Sequence, residues 1–254
     1  MDKISALMVC YDEDRLPNLN NALECFDAQT HQNKELIVVC NGSKEHYNAV
    51  EEALDGFYFD YKVEYRDKKK MKLSLGDIRN IAVILSTGDV IVPWDDDDLN
   101  HPHRLKIQYH YMNASNADVC FLSDHLHYFY EKNELFWVNW GYEVPNTMMC
   151  KKSCFDNIKY PSLNIHEDSK VASRIRKQYK SCVLEERGYL FTYCFNGTGA
   201  FGYNHHMNNI VLGKDLSFMG NIELKLKSLH ELRLYKQSFL SDATFMNPHD
   251  PLLV

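Results

Sequence analysis

The 254-residue sequence lacks several features that would assign it to a well-known class of protein. It has no apolar run close to the roughly 18–20 residues that cross a bilayer, so we expect no integral membrane segment. Its first residues lack the basic start and apolar stretch of a secretory signal. None of its eight cysteines forms a Cys-x-x-Cys pair, so a zinc site of the common spacing is not indicated. Together these absences favour a cytoplasmic protein.

An excess of positive charge is also missing. The formal net charge is -7 at pH 7, which does not suggest a protein that binds nucleic acid or anionic lipid over a broad surface. One basic run, Arg66–Lys72, is a local exception, and such runs are usually solvated loops. Internal repeats and low-complexity linkers are absent from the sequence as well. With 45% hydrophobic residues, the chain has the ordinary composition of a globular protein.

The first half of the sequence alternates between strand-like and helix-like segments. Short β-rich runs lie at Ile4–Cys10, Lys34–Cys40 and Phe59–Tyr65, and apolar residues recur at helical spacing in Leu16–Gln29 and Ser43–Leu54. Strands joined by helices lie parallel in one sheet. We therefore predict an α/β fold with a Rossmann-like, mostly parallel central sheet flanked by helices.

The rest of the chain is less regular. Further predicted helices are 73–88, 101–113 with Pro102 in the first turn, Asp168–Tyr179 and Ile222–Leu240, and further predicted strands are 90–94, Asp118–Tyr130, Asn146–Phe155 and Gly188–Phe195. We expect a single domain over residues 1–215. A C-terminal helix and tail would follow over residues 216–254.

Four consecutive aspartates follow an apolar strand in the segment VIVPWDDDDLN, Val90–Asn100. Adjacent carboxylates repel one another by up to about 3–4 kcal/mol before screening. The run could be a solvated loop or could place acids at the next helix N-terminus. It does not fit an EF-hand calcium-binding loop that starts at Asp96. Such a loop needs glycine at its sixth position and glutamate at its twelfth, and these positions are His101 and Ile107. Ligands bind beyond the carboxyl ends of parallel strands, so Asp95 and Asp97 could instead hold a divalent cation on a diphosphate.

Two other segments carry candidate site residues. Glu167 and Asp168 stand just before a predicted helix, where Asp168 could cap the helix or act as a general base. His205 and His206 lie in a segment rich in glycine and asparagine, which we interpret as a loop. Histidine is a common metal ligand, and because adjacent side chains diverge, only one of the two could face a site.

The order of these pieces resembles a known family. The segment SALMVCYDEDRLPNLNNALECFDAQTHQNKELIVVCNGS, the segment LGDIRNIAVILSTGDVIVPWDDDDLNHPHRL and the motif HED at 166–168 are similar, in that order, to the motifs of family 2 type glycosyltransferases of the GT-A fold. The similarity covers residues 3–110 well, 145–175 reasonably and the part beyond 185 loosely. It implies a GT-A domain that has a nucleotide-binding half (1–115), an acceptor half (116–215) and a C-terminal helical extension. It also implies an inverting transfer of a sugar from a nucleotide-sugar to a hydroxyl group.

The resemblance also implies roles for individual residues. Asp97 would be the main ligand of a Mn²⁺ or Mg²⁺ ion, aided by Asp95 and by His205 or His206. Asp168, beside Glu167, would deprotonate the acceptor. The residues that would contact the nucleotide-sugar are Tyr11, Asp12, Asn41, Arg79, Asp95, Asp96 and Asp98.

One departure from the family pattern concerns the nucleotide. Cys40 and Asn41 stand where the family usually has an acidic pair. The identity of the nucleotide base is therefore left open, and UDP is the first choice for the nucleotide. We expect the acceptor to be a glycan, a small molecule or a protein. Modified nucleic acid is a minority option that rests on the basic residues of Lys68–Lys72.

Two rival functions remain at this point. A nucleotidyltransferase of related architecture would carry a glycine-rich phosphate loop after its first strand, whereas YDEDRLPN contains no glycine. An inactive binding or scaffold module would be expected to have lost acidic residues of the motifs, and these are present. Among the aromatic residues, we predict that Trp94 belongs to the hydrophobic core. Trp137 and Trp140 could equally belong to the core or stack on a sugar.

Overall fold

The computed structural model describes residues 2–11, 15–131, 134–197, 201–212 and 223–225. The strands are β1 (Ile4–Cys10), β2 (Lys34–Gly42), β3 (Asp60–Asp67), β4 (Val90–Pro93), β5 (Leu99–Asn100), β6 (Val119–Leu122), β7 (Asp124–Phe129), β8 (Glu134–Asn139), β9 (Met149–Lys151), β10 (Ser181–Leu184), β11 (Phe191–Phe195) and β12 (Glu223–Lys225). The helices are α1 (Leu16–Asp27), α2 (Lys44–Leu54), α3 (Leu75–Leu85), α4 (Arg104–Ala114), α5 (Glu167–Gln178) and α6 (Tyr203–Leu212).

In the described part of the chain, the main sheet has the strand order β10-β6-β9-β4-β1-β2-β3. The pairings β4-β1, β1-β2, β2-β3 and β10-β6 are parallel, whereas β9 runs antiparallel to β4 and β6. A second sheet has the order β12-β8-β7-β11-β5. The mostly parallel central sheet predicted from the sequence is confirmed.

Both faces of the main sheet are covered, which explains why its central strands read as unbroken apolar runs. Alternate residues of β1 pack into two different clusters, Ile4, Ala6 and Met8 into one and Leu7 and Val9 into the other. The first cluster also contains residues of α1, α2 and α4, and the second contains residues of α3 and α5. Helices α1 to α5 are therefore distributed over both faces of the sheet.

Side-chain caps determine where two of these helices begin. The hydroxyl of Ser43 accepts a hydrogen bond from the backbone N–H of His46 at the start of α2. Ser74 and Asp77 form a reciprocal capping box at the start of α3, which satisfies backbone donors that the first turn leaves open. The segment predicted to be helical from Ser43 therefore has this serine as its N-cap.

Several predicted elements of the second half are wrong in extent. The predicted strand Asp118–Tyr130 is two strands, β6 and β7, which belong to different sheets and are separated at Ser123. Of the predicted strand Asn146–Phe155 only β9 is a strand, flanked by short 3-10 turns. The helix that was to hold Pro102 in its first turn begins at Arg104.

Other elements were not predicted or differ in type. Strands β8 and β10 have no counterpart in the sequence prediction, and residues 203–212, interpreted as a loop, form α6. Residues 223–225 form β12, where a helix was predicted. The remainder of that predicted helix lies outside the described residues. No helix in the described chain is long and apolar enough to cross a membrane.

A close backbone contact links α3 to the segment before α5. A Cβ atom on Gly76 would lie 1.9 Å from the carbonyl oxygen of Pro161, so this approach requires glycine. The Gly76 N–H donates to the carbonyl of Leu163, and the Leu75 N–H donates to the side chain of Asn164. This contact fixes α3, which carries Arg79, against the start of α5.

Candidate active site

A cavity of about 110 Å³ lies where the sheets present the ends of β1, β4 and β11. Its lining joins residues that are far apart in the sequence and includes most of the predicted site. The predicted residues among the lining are Tyr11, Arg79, Asp95, Asp96, Asp97, Asp98, Glu167, Asp168 and His206. The acidic run therefore faces the HED motif across one cavity, as expected for the carboxyl ends of parallel strands.

Arg79 connects the two acidic segments. Its Nη2 donates to Asp95 Oδ1 at 2.9 Å and its Nε donates to Glu167 Oε1 at 3.1 Å. The arginine is 9% exposed and Glu167 is 3% exposed, so both charges depend on this pairing. Helix α3 thus holds the acid after β4 and the acid that opens α5 in a fixed relation.

A second arginine, Arg15, occupies the acidic run itself. Its guanidinium pairs with Asp96 at 2.7 Å and also contacts the carboxylate of Asp97. Arg15 is 6% exposed and immediately precedes α1. Arg15 could not be recognised from the sequence, because a single arginine in the charged segment YDEDRLPN carries no distinguishing pattern.

The cavity lining contains six carboxyl groups and only these two arginines. Burial raises the pKa of Asp96 to about 8 against the opposing charge of Arg15, and the neighbouring acids add to the rise. Burial is also the main reason why the pKa values of Asp97 and Asp98 are raised. A further cation would therefore stabilise the ionised carboxylates, so the donor set fits a divalent metal ion.

Asp98 connects the acidic run to the second sheet. Its Oδ1 accepts a hydrogen bond of 2.8 Å from the backbone N–H of Cys194 in β11. Its Oδ2 is buried with no hydrogen-bond partner among the described residues. The side chain is 1% exposed, so Asp98 stabilises the position of the acidic run, and its predicted contact with a sugar stays a prediction.

The HED motif begins α5. His166 precedes the helix with a φ of 65°, and Glu167 and Asp168 lie in the first turn. Asp168 is therefore not the N-cap, although its Oδ1 accepts a hydrogen bond of 2.6 Å from the Ser169 N–H. Burial raises the pKa of Glu167, and the charge of Arg79 opposes the rise. The two adjacent carboxylates thus have different surroundings. Glu167 is buried and paired with Arg79, whereas Asp168 is half-buried in the cavity wall.

Helix α6 separates the two adjacent histidines. His206 is 2% exposed, lines the cavity, and has its Nδ1 2.8 Å from His127 Nε2. His205 stacks on Phe201, with ring centroids 3.9 Å apart, and its Nε2 contacts the side chain of Asn209. Of the pair, the structure places His206 at the cavity.

Some predicted residues are not brought to the cavity. Asn41 donates to the backbone carbonyl of Arg66 at 3.2 Å and is not part of the lining that the structure describes. Asp12 lies outside the described residues. Trp94 is fully buried and donates to the carbonyl of Ala22, so its predicted core role is confirmed.

A complete metal cage is not present in the described part of the chain, where no group of three or more His, Cys, Asp or Glu side chains could hold a metal ion. A Mg²⁺ ion that is bound together with a nucleotide does not need a complete cage of protein ligands. Such sites commonly use one or two protein carboxylates together with the phosphates of the ligand. Asp97 and Asp95 on one wall and His206 on the other fit that partial donor set.

Comparison with known proteins gives the family. The model of the Glycosyl transferase family 2 matches residues 5–175, which includes the acidic run and the HED motif. The chain belongs to this family. An uncharacterised glycosyltransferase of Methanocaldococcus jannaschii is 28% identical over 182 residues, covering 71% of this chain and 60% of that protein. The chain spans 16% to 60% of the curated relatives it matches.

Solved structures show that the fold is that of GT-A glycosyltransferases. S. aureus TarS 1-349 in complex with UDP-GlcNAc has a TM-score of 0.61 at 16% identity, covering 76% of this chain and 59% of TarS. The mannosyltransferase PcManGT of Pyrobaculum calidifontis, in complex with GDP-Man and Mn²⁺, has a TM-score of 0.61 at 13% identity, covering 80% of this chain and 59% of that protein. The predicted GT-A fold is confirmed.

Proposed function

We propose that this domain transfers a sugar from a nucleotide-sugar to a hydroxyl acceptor, with inversion and with the help of a divalent cation. The observation that carries the proposal is the arrangement of carboxylates around one cavity. Asp95, Asp97 and Asp168 all line it, and Arg79 bridges the acidic run and the HED motif through Asp95 and Glu167. Such an arrangement supplies carboxylates for the counter-ion of a diphosphate and a separate carboxylate for a general base.

The cation would be Mn²⁺ or Mg²⁺, held by Asp97 and Asp95 with His206 on the facing wall. When bound, it neutralises the negative charge that develops on the leaving diphosphate. The ion pair between Arg15 and Asp97 must then loosen or be shared. A ligand site for a molecule of this size commonly needs roughly 300 Å³ or more, and moving the Arg15 side chain would enlarge the cavity of about 110 Å³.

Asp168 is the proposed general base. Its Oδ1 already accepts the Ser169 N–H, and Oδ2 would take the acceptor proton. The acceptor oxygen then forms a bond to the anomeric carbon as the bond from that carbon to the diphosphate breaks on the opposite face. One such displacement inverts the anomeric configuration. Glu167, already bound to Arg79, positions that arginine.

The donor is proposed to be UDP-linked. TarS was solved with UDP-GlcNAc and PcManGT with GDP-Man, so proteins of this fold take either base. Asn41, which replaces an acidic residue of the family pattern, pairs with the backbone of Arg66, so base recognition would depend more on Tyr11 in the cavity wall. The acceptor is proposed to be a hydroxyl group of a glycan, small molecule or protein.

The proposal is tested by thermal stability against a panel of nucleoside diphosphates and nucleotide-sugars, with Mn²⁺ or with EDTA. A ligand at about 100 times its dissociation constant adds about 2.7 kcal/mol to the free energy of unfolding. We expect a Mn²⁺-dependent shift for UDP compounds that Asp97→Asn abolishes. Asp27→Asn, a change at an exposed aspartate at the end of α1, is the matched control and should keep the shift. A folded protein that no nucleotide stabilises would refute the donor site.

A further inference from the structure

A hydrogen bond between two buried histidines lies directly behind the cavity. His127, in β7, is fully buried, and its Nε2 lies 2.8 Å from Nδ1 of His206 in α6. The two rings are nearly perpendicular, at 89°, with centroids 5.0 Å apart. Tyr193 and Phe195 enclose the His206 ring, each with a centroid distance of 4.7 Å. The ring is therefore held on several sides, and one of its nitrogens is committed to His127.

The hydrogen bond between His127 and His206 determines whether Nε2 of His206 carries a proton. A neutral ring has one N–H donor and one acceptor nitrogen. If His206 donates its Nδ1–H to His127 Nε2, its own Nε2 carries a lone pair that can bind a cation. If His127 donates instead, His206 Nε2 carries the proton and can only donate to an anion such as a phosphate. The direction of one hydrogen bond thus selects between two roles.

We propose that His127 is a positioning residue that accepts the Nδ1–H of His206 and so presents the Nε2 lone pair of His206 to the cation of the donor complex. Metal-binding histidines commonly donate their second ring N–H to such a partner, which fixes the tautomer and the ring orientation. The proposal rests on the proposed function, which gives the cavity its cation. His127 itself does not line the cavity that the structure describes.

His125 provides a matched control for a role in packing alone. It lies two residues before His127 on the same face of β7, is 1% exposed, and has its ring centroid 5.7 Å from that of His127. Both of its ring nitrogens lack a hydrogen-bond partner among the described residues. His125 therefore matches His127 in burial and chemistry but does not share the bond to His206.

The experiment compares His127→Leu, His127→Gln and His125→Leu with the wild-type protein. The amide oxygen of glutamine can accept a hydrogen bond near the position of Nε2, whereas leucine cannot. Mn²⁺ affinity in the presence of UDP is measured from the free Mn²⁺ signal in electron paramagnetic resonance. The protonated nitrogen of His206 is identified from the ¹⁵N chemical shifts of labelled histidine. Circular dichroism and thermal denaturation show which variants are folded.

We expect His127→Leu to weaken Mn²⁺ binding by about 10–100-fold, the usual effect of losing such a partner. His127→Gln should recover most of the affinity, and His125→Leu should bind Mn²⁺ like the wild type. In the wild-type protein His206 should carry its proton on Nδ1, and His127→Leu should lose that preference.

Several results would overturn the proposal. These are wild-type affinity in His127→Leu, equal losses in His127→Leu and His125→Leu, a glutamine variant no better than leucine, or a proton on Nε2 of His206 in the wild type. If His127→Leu does not fold, the proposal is tested by the Mn²⁺ affinity of His127→Gln and by which nitrogen of His206 carries the proton in the wild-type protein. If the wild-type protein binds no Mn²⁺ with UDP, the proposed function loses its metal, while the tautomer still tells whether His127 accepts from His206.

Discussion

The two walls of the cavity are built in different ways. One wall, at the ends of β1 and β4, concentrates charge: Asp95, Asp96 and Asp97 meet the guanidinium groups of Arg15 and Arg79. The other wall, formed by β11 and α6 over β7, is made mainly of aromatic rings and histidines. The rings that line the cavity there are those of Tyr193, Phe195 and His206, and His127 packs behind them.

The difference shows how the fold divides its tasks. Burial, with the repulsion between neighbouring acids added to it, raises the pKa values of Asp96 and Asp97, so a bound cation would stabilise the ionised carboxylates of this wall. On the aromatic wall, burial lowers the pKa of His206 to about 4, so its ring stays neutral and its nitrogens remain available as donor and acceptor. One wall therefore supplies charge, and the other supplies fixed orientation.

The largest expected effect comes from removing the base that faces the charged wall. Asp168→Asn keeps the shape of the side chain but cannot take a proton. The rate of sugar transfer should fall by about 10²- to 10⁴-fold, the usual contribution of general acid–base catalysis. Mn²⁺-dependent binding of UDP should be unchanged, because Asp168 lies on the acceptor side. A variant that loses nucleotide binding together with the rate would place Asp168 in the donor site instead.

The next effect concerns the link between the acidic segments. Arg79→Met leaves Glu167 and Asp95 without their shared partner, and uncompensated buried charges of this kind cost about 3–5 kcal/mol. The free energy of unfolding, measured in urea at pH 7, should fall by that order. Adding Glu167→Gln to Arg79→Met should restore part of the loss, because one of the orphaned charges is removed. If the double variant is no more stable than the single one, the arginine acts mainly through packing.

A smaller effect is expected at Arg15, which competes with a metal ion for Asp97. Arg15→Gln should raise the affinity for Mn²⁺ in the absence of nucleotide by about tenfold, since a charge-assisted hydrogen bond contributes about 1.5–3 kcal/mol. Isothermal titration calorimetry measures this directly. Weaker Mn²⁺ binding in the variant would mean that Arg15 organises the site for the ion and does not compete with it.

The smallest expected effect is the contribution of His125, which packs beside His127, to the pH dependence of the free energy of unfolding. Burial lowers the pKa of His125 from an ordinary 6.5 to about 3, so below pH 6.5 the unfolded chain binds a proton that the folded chain does not. The free energy of unfolding should therefore fall with falling pH, by up to about 1.4 kcal/mol per pH unit from this residue. His125→Leu should reduce that slope between pH 6.5 and 5 in urea titrations. An unchanged slope would show that His125 takes up a proton in the folded state as readily as in the unfolded chain.

The aspartates of the charged wall could be predicted from the sequence, although Arg15 could not, because the signals of the acidic run are local. The strands β1 and β2 appear as apolar runs, Ser43 marks the start of α2, and the aspartates directly follow β4. Alternation of strands and helices then brings the strand ends to one edge. Asp95 and Asp97 were found in this way, without knowledge of tertiary contacts.

The aromatic wall could not be predicted in the same way. The run Asp118–Tyr130 is buried along nearly its whole length, so its periodicity contains no sign that the chain changes sheets at Ser123. His127 therefore looked like one more residue of a long strand, and its bond to His206 joins positions 79 residues apart. Helix α6 was hidden by glycine and asparagine residues that favour loops, and contacts with β7 and β11 override that preference.

The most direct test of the account is the position of the metal. Anomalous diffraction from crystals soaked with Mn²⁺ and UDP should show one strong peak between the carboxylate of Asp97 and the ring of His206, with Arg15 withdrawn from Asp97. A peak elsewhere, or bound UDP without a metal while Arg15 still pairs with Asp97, would contradict the proposal that this cavity holds a nucleotide-sugar through a divalent cation.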